Sequence, residues 1–391
     1  MTASFPRRRQ TKSTFAMLAS SVIFGCAAAL SAVADERAGQ PPLNLAKEGY
    51  FYVGGTQIAR DQGMIHVDQM FVEYQVPAGH LHRYPLVMVH GGSSTGAVYA
   101  GTPDDREGWR EFFVRAGYTV YVVDAPTAGR SAYDAAADGP LEQAPPGARE
   151  RMFTRPEQFG LWPQARLHNQ FPGTGLPGDP IYNQSAEASV PSVANQQRLD
   201  EINRDALAAL LDRIGPAAIL THSRSGPYGW LLADARPGLV MGIIAVEPNG
   251  PAFRNQPSQA AQAPPSATDR AWGISYARLT FDPPAADASE LGPQQALPEA
   301  PDLVGCWQMS GPRRKLVNLI GVPVLIVTSE ASYHAQYDQC TSEFLTSAGV
   351  SNEHVRLETR GIHGNGHLMM SEKNNLQIAA LIEHWLSAHV K

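Results

Sequence analysis

The sequence predicts an α/β protein built on a mostly parallel, doubly wound sheet. Three observations carry that expectation. Short continuous apolar runs (YPLVMVH, TVYVVDAP, AAILTH, LVMGIIAVEP, PVLIVTSE) have the pattern of strands buried on both faces. Helix-period segments lie between them, and that alternation implies parallel pairing through crossovers. Two long stretches rich in proline and glycine interrupt the alternation, which resumes after each. One domain with two insertions therefore fits, and two independent domains do not.

The first residues stand outside this scheme. Arg7, Arg8, Arg9 and Lys12 precede an apolar run from Phe15 to Val33, which ends at Ala32-Val33-Ala34 before Asp35-Glu36-Arg37. Basic start, apolar core and small-residue site form the order of a secretory signal peptide cleaved after Ala34. Residues 1–34 are thus expected to be a signal peptide and residues 35–391 the mature domain, periplasmic or secreted, with no stable membrane insertion. Losing four basic and no acidic residues takes the net charge from −6 to −10. An acidic chain without a basic stripe is a poor candidate for nucleic acid. Of the three cysteines, Cys26 leaves with the signal. Cys306 and Cys340 remain as an even pair in an oxidising compartment, where a disulfide is the default. Two cysteines without clustered histidines make no zinc site, and no metal or cofactor is expected.

The mature chain opens with alternation between Tyr50 and Pro77, the pattern of an antiparallel start to a sheet. The first buried strand, YPLVMVH, runs into the glycine loop HGGSSTG. A helix follows with Trp109, Phe112, Phe113 and Ala116 on one face and Gly117 as its stop. After TVYVVDAP comes the first excursion, at about 131–194. It contains Phe153, Phe159, Trp162, Phe171 and Tyr182, aromatics that a flexible linker would lack. A cap over the strand ends is expected. A helix near 197–214 presents Leu199, Ile202, Ala206 and Leu210 on one face. The second excursion, at about 249–312, carries Trp272, Tyr276 and Trp307. PVLIVTSE, a helix around 338–348, a last strand EHVRLETRG, and a helix carrying Ile378, Leu381, Ile382 and Trp385 complete the chain.

Functional groups of such a sheet gather beyond the carboxyl ends of its strands. There the sequence places His90-Gly91-Gly92, Ser223, Glu247, Glu330, His363 and His367. Ser223 lies at the apex of THSRSG, between an apolar strand and a helical segment. This is a variant of G-x-S-x-G with Thr221 and Ser225 as the small flanks and Gly226 just beyond. Ser225 sits where that turn requires a small residue, which favours Ser223 as nucleophile. A serine hydroxyl needs a base in reach, and the base needs a carboxylate to fix its tautomer. His367, in G-x-G-H, is the better base, with His363 a buttress of the loop. His90 and His222 read as structural. Between Glu247 and Glu330 the residues alone leave the acid open.

The stretches HGGSSTG, REGWREFFVRAGYTVYVVDAPTAGRS, THSRSGPYGWLLADARPGLV, AVEPNGP, VTSEASYH and GIHGNGHLMMSEKNN resemble those of α/β-hydrolases, and closely those of the bacterial esterase 713-like family. The resemblance runs from about residue 45 to the C-terminus. It implies an α/β-hydrolase fold with two cap-forming insertions, and an exported serine esterase working through an acyl-enzyme. By position it makes Ser223 the nucleophile, Glu247 the acid and His367 the base. A disulfide near the cap, Cys306 to Cys340, also fits it. The oxyanion hole is expected to use the backbone N–H groups of Gly92 and Arg224. An arginine directly after the nucleophile departs from the usual pattern. Its guanidinium is expected to pair with an acid such as Glu330, the other reading being recognition of an anionic substrate group. The excursion aromatics would suit cyclic or aromatic esters, unless they only pack the cap. The expected partner is a small-molecule ester, with a homodimer allowed. Lactone or amide hydrolysis on the same triad, and a ligand-binding relative without turnover, are the alternatives.

Overall fold

The computed structural model describes residues 1–2, 41–255, 269–311 and 313–391. The expected signal segment, with Cys26, lies outside the described residues apart from its first two positions. Residues 42–391 form one compact unit. Its frame is an eight-stranded sheet.

The antiparallel opening is a long hairpin, β1 (Leu45–Arg60) and β2 (Gly63–Pro77). In β2 Val67 and the run Met70, Phe71 and Val72 are buried, with Asp68 at φ 64° between them, while the hairpin tip is exposed. The apolar runs form β3 (Leu86–Val89), β4 (Val120–Asp124), β5 (Ala217–His222), β6 (Val240–Val246) and β7 (Val324–Thr328). With β8 (Glu353–Arg356) they give the order β1-β2-β4-β3-β5-β6-β7-β8, parallel from β4 onward. The last strand is shorter than EHVRLETRG suggests. β8 is an edge strand paired only with β7, from Leu325↔Glu353 to Thr328↔Arg356. Beyond that register the chain has no partner, and Leu357–Arg360 coils into a 3-10 turn closed by Gly361 at φ 73°.

Helices cover both faces, which is why the central strands are apolar throughout. On one side lie α3 (Gln196–Ile214) and α4 (Gly226–Ala235), whose Leu199, Ile202, Ala206, Leu210 and Trp230 pack on the sheet. On the other lie α1 (Trp109–Arg115) and α6 (Asn375–His389), with Trp109, Phe113, Ile378, Ile382 and Trp385. Each large apolar side chain so buried contributes about 1.5–3 kcal/mol. The Asn195 side chain caps the start of α3 by accepting the Arg198 N–H, and Gly215 at φ 84° ends it.

The first excursion folds into short pieces. These include a two-stranded ribbon of Leu141–Glu142 with Ser192–Val193, a wide helical turn at Glu150–Thr154, and α2 (Pro180–Glu187). The second contains a ribbon of Pro293–Gln295 with Trp307–Met309. A disulfide joins its Cys306 to Cys340 of α5 (Asp338–Ser347).

Candidate active site

Ser223 follows β5 directly and takes φ 53°, in the left-handed region, before α4 begins. A non-glycine residue there is strained by about 1–2 kcal/mol, so the surroundings must hold it. Ser225 does much of this. Its buried hydroxyl accepts from the His222 N–H at 2.8 Å and lies 2.9 Å from the carbonyls of both Val89 and His222, which share its proton. The Asn249 N–H donates to the Ser223 carbonyl at 2.7 Å. A Cβ on Gly226 would stand 2.5 Å from Pro248 Cβ, so the start of α4 passes the loop after β6 too closely for any other residue.

The glycine loop after β3 presses on this turn. Added Cβ atoms would stand 3.1 Å from Ser223 Cβ at Gly91 and 2.6 Å from Arg224 Nε at Gly92. His90 holds the loop from below. Its Nε2 accepts the Ala125 N–H at 3.0 Å, which leaves Nδ1 to donate to the Gly91 carbonyl at 2.7 Å.

Glu247 comes immediately after β6, at φ 43° and fully buried. One carboxylate oxygen accepts the Ser329 N–H at 2.8 Å. The other accepts the Ser332 hydroxyl at 2.7 Å and lies 2.5 Å from His367 Nδ1. Burial pushes the Glu247 carboxyl up and the His367 imidazole well below the usual histidine range. Imidazole Nε2 lies 3.2 Å from the Tyr333 hydroxyl, its hydrogen-bond partner here in place of Ser223. Phe153 stacks on the His367 ring at 5.5 Å, and His334 lies parallel to it at 4.8 Å and 9°. His222 Nε2 is 3.0 Å from the His367 carbonyl, which fixes the backbone of that residue.

His334 begins a second buried pair, with Nδ1 2.8 Å from Asp338. Donor atoms of Glu247, His334 and His367 all lie within 4.8 Å of one another, the one such group among the described residues. Two of them are bound to each other, and His334 Nδ1 is bound to Asp338.

Ser223, His367, Gly91, Gly92 and Arg224 line one cavity of about 820 Å³. Both excursions contribute to its wall. Of the eight excursion aromatics named above, Phe153, Tyr182 and Tyr276 reach it. Trp162 and Phe171 are buried elsewhere, Trp272 and Trp307 pack on the main core, and Phe159 is exposed.

Glu330 and His363 stand apart from this constellation. They bond each other at 3.1 Å, and Glu330 also accepts the Gly364 N–H at 2.8 Å. The expected pairing of Arg224 with Glu330 does not form, and Glu330 braces the histidine loop instead.

Sequence reading missed the support around His367. Ser329, Ser332, Tyr333 and the His334–Asp338 pair were not singled out, although VTSEASYH spans most of them. Also missed was Glu372, which accepts the Gly366 N–H at 2.9 Å, lies 2.9 Å from His168 Nε2 and takes a hydrogen bond from Asn365 at 2.8 Å. A buried carboxylate after a glycine loop is a usable signal, but only once the loop is known to matter.

No family model matches the sequence. The chain is 40% identical over 338 residues to the probable secreted lipase phiG of Fungal sp. (strain ATCC 74256), a match covering 86% of this chain and 88% of that protein. A bacterial esterase whose structure is known at atomic resolution superposes with a TM-score of 0.59 at 24% identity, over 90% of this chain and 98% of its own. That second likeness is one of fold.

Proposed function

The chain belongs to the α/β-hydrolase superfamily, in one family with the fungal lipase it matches, and on that premise we propose that it is an exported serine esterase. An ester hydrolase is the reading that the relative's name supports, and the word "secreted" in that name agrees with the signal-like N-terminus. The observation that carries the mechanism is the 2.5 Å contact of Glu247 with His367 Nδ1, on the wall of the cavity that Ser223 lines.

In this reading Glu247 holds the Nδ1–H tautomer, so Nε2 carries the free lone pair. Nε2 exchanges its Tyr333 partner for the Ser223 hydroxyl and takes its proton as Ser223 attacks the ester carbonyl. The oxyanion is held by the N–H groups of Arg224 and Gly92. One such donor is worth about 3–4 kcal/mol of transition-state stabilisation. His367 then protonates the leaving alcohol, and a water activated by the same nitrogen releases the acid from Ser223. Residues 131–194 and 249–312 act as the cap, which the contribution of both to the cavity wall supports.

The test is Ser223→Ala. Hydrolysis of p-nitrophenyl acetate should fall by at least a thousandfold with the fold intact by circular dichroism. A fluorophosphonate should label Ser223 in the parent protein. Retained turnover in the variant would sink the assignment.

A further inference from the structure

The proposed mechanism uses only the backbone of Arg224. Its side chain is in an unusual position. Nη1 is shielded from solvent and has no hydrogen-bond partner. Among the described residues no carboxylate lies within ion-pair distance of it. Other arginines near the sheet are paired: Arg130 with Asp124 at 2.7 Å, Arg198 with Asp138 at 2.9 Å. A guanidinium stays charged at any working pH, and although Arg224 as a whole is only half-buried, leaving its shielded Nη1 without a partner is costly. The side chain passes close over the glycine loop, where a Cβ on Gly92 would stand 2.6 Å from Nε. The charge therefore faces the cavity between the glycine loop and Ser223.

Two further arginines act in the same sense. Arg270 is fully buried, with Nη2 unpartnered, and its Nη1 is 3.2 Å from both the Asn249 side chain and the Tyr276 hydroxyl, two groups of the cavity wall. Arg149, also in the wall, bonds the Ser185 and Ser189 hydroxyls and no carboxylate. Glu142 and Glu150 supply negative charge on the wall built by the first excursion, but neither pairs with Arg224, and Glu150 accepts the Tyr182 phenol at 2.6 Å.

We propose that the cavity takes an ester that itself carries a carboxylate, such as a half-ester of a short dicarboxylic acid, and that the Arg224 guanidinium binds that carboxylate. The fork of a guanidinium matches a carboxylate in two parallel hydrogen bonds, supplying the partner that the protein withholds. The overall field favours no anion, because the chain carries a net charge of −6. Selection must then come from this local charge. The inference rests on the esterase reading above and names the substrate class of the same site.

Two measurements test it. First, kcat/KM is compared for mono-p-nitrophenyl glutarate and the neutral p-nitrophenyl pentanoate. The parent enzyme should favour the charged ester about tenfold or more, Arg224→Met should lose at least tenfold of that ratio, and Arg224→Lys should keep part of it. Taking a ratio cancels any common effect on the backbone donor. An unchanged ratio in Arg224→Met overturns the proposal. Second, glutarate is titrated by calorimetry into Ser223→Ala, with and without Arg224→Met. Binding at least tenfold weaker in the double variant is expected. Equal binding, or no binding to Ser223→Ala, overturns the proposal. If the parent hydrolyses neither ester, the esterase reading falls while the calorimetry still decides whether Arg224 holds a carboxylate.

Discussion

Glu247 and Glu330 follow adjacent parallel strands, and each is bonded to a histidine, yet their surroundings differ. Glu247 is fully buried, and its histidine faces the cavity that Ser223 lines. Glu330 bonds an exposed histidine and the backbone of Gly364. With the Ser329 N–H claiming one oxygen, an amide in place of the Glu247 carboxyl turns its NH2 group toward His367 Nδ1, which loses its acceptor and takes the wrong tautomer. Glu247→Gln should therefore lower kcat by about 10³–10⁴-fold, by analogy with other triads. Glu330→Gln should lower it by less than about tenfold, through a looser loop. Steady-state kinetics on one ester decides, and equal losses would reverse the assignment of the acid. At this scale the gathering of Ser223, His367 and the glycine loop on one cavity was legible in the sequence, because each follows a strand at a particular bend. The choice of acid was not legible from residues alone, since both glutamates end apolar runs. The surroundings of Arg224 were not legible either. Its expected partner is committed to Gly364 and His363, and only three-dimensional contacts reveal that.

Whole elements were read more securely where a local stop signal exists. The helix expected near 197–214 spans Gln196–Ile214, because Asn195 and Gly215 mark its ends chemically. The last strand was overextended, because nothing in EHVRLETRG says where a neighbouring strand stops. The internal structure of the first excursion was invisible for a related reason: its pieces are held by distant partners rather than by periodicity. His168 is the clearest case. It is buried between Glu157 at 3.2 Å and Glu372 at 2.9 Å, and so ties that excursion to the loop carrying His367. Burial works against its charged form, but the two carboxylates outweigh this and raise its pKa to about 9. A histidine raised on folding contributes stability fully present below its unfolded value of about 6.5 and lost as pH rises through the folded value. The contribution is about 3 kcal/mol. The melting temperature should thus fall between pH 7 and pH 10, and His168→Gln should remove most of that slope. A variant melting lower but with the parent's slope would show that the clamp carries no charge.

At the scale of the molecule, the two excursions are joined to the sheet beside the proposed base. Met152, Trp162 and Ala165 of the first pack with Cys306 of the second and with Tyr333, Tyr337 and Cys340 of the scaffold. Tyr333 carries this cluster to His367, whose ring lies 4.9 Å away. The disulfide fastens the cluster across a sequence separation of 34. By the chain-entropy account a loop of that size stabilises the folded state by about 4 kcal/mol. For a domain of this length that corresponds to a fall in melting temperature of about 5 °C when the bridge is absent. The double variant Cys306→Ser/Cys340→Ser should show that fall, and reductant should lower the parent's midpoint to the same value while leaving the variant's unchanged. Because the bridge lies under Tyr333 and the cap, activity of the variant should be lost at a lower temperature than its global unfolding. Inactivation and unfolding that coincide as closely in the variant as in the parent would mean that the bridge supports the fold as a whole and not the cap beside His367.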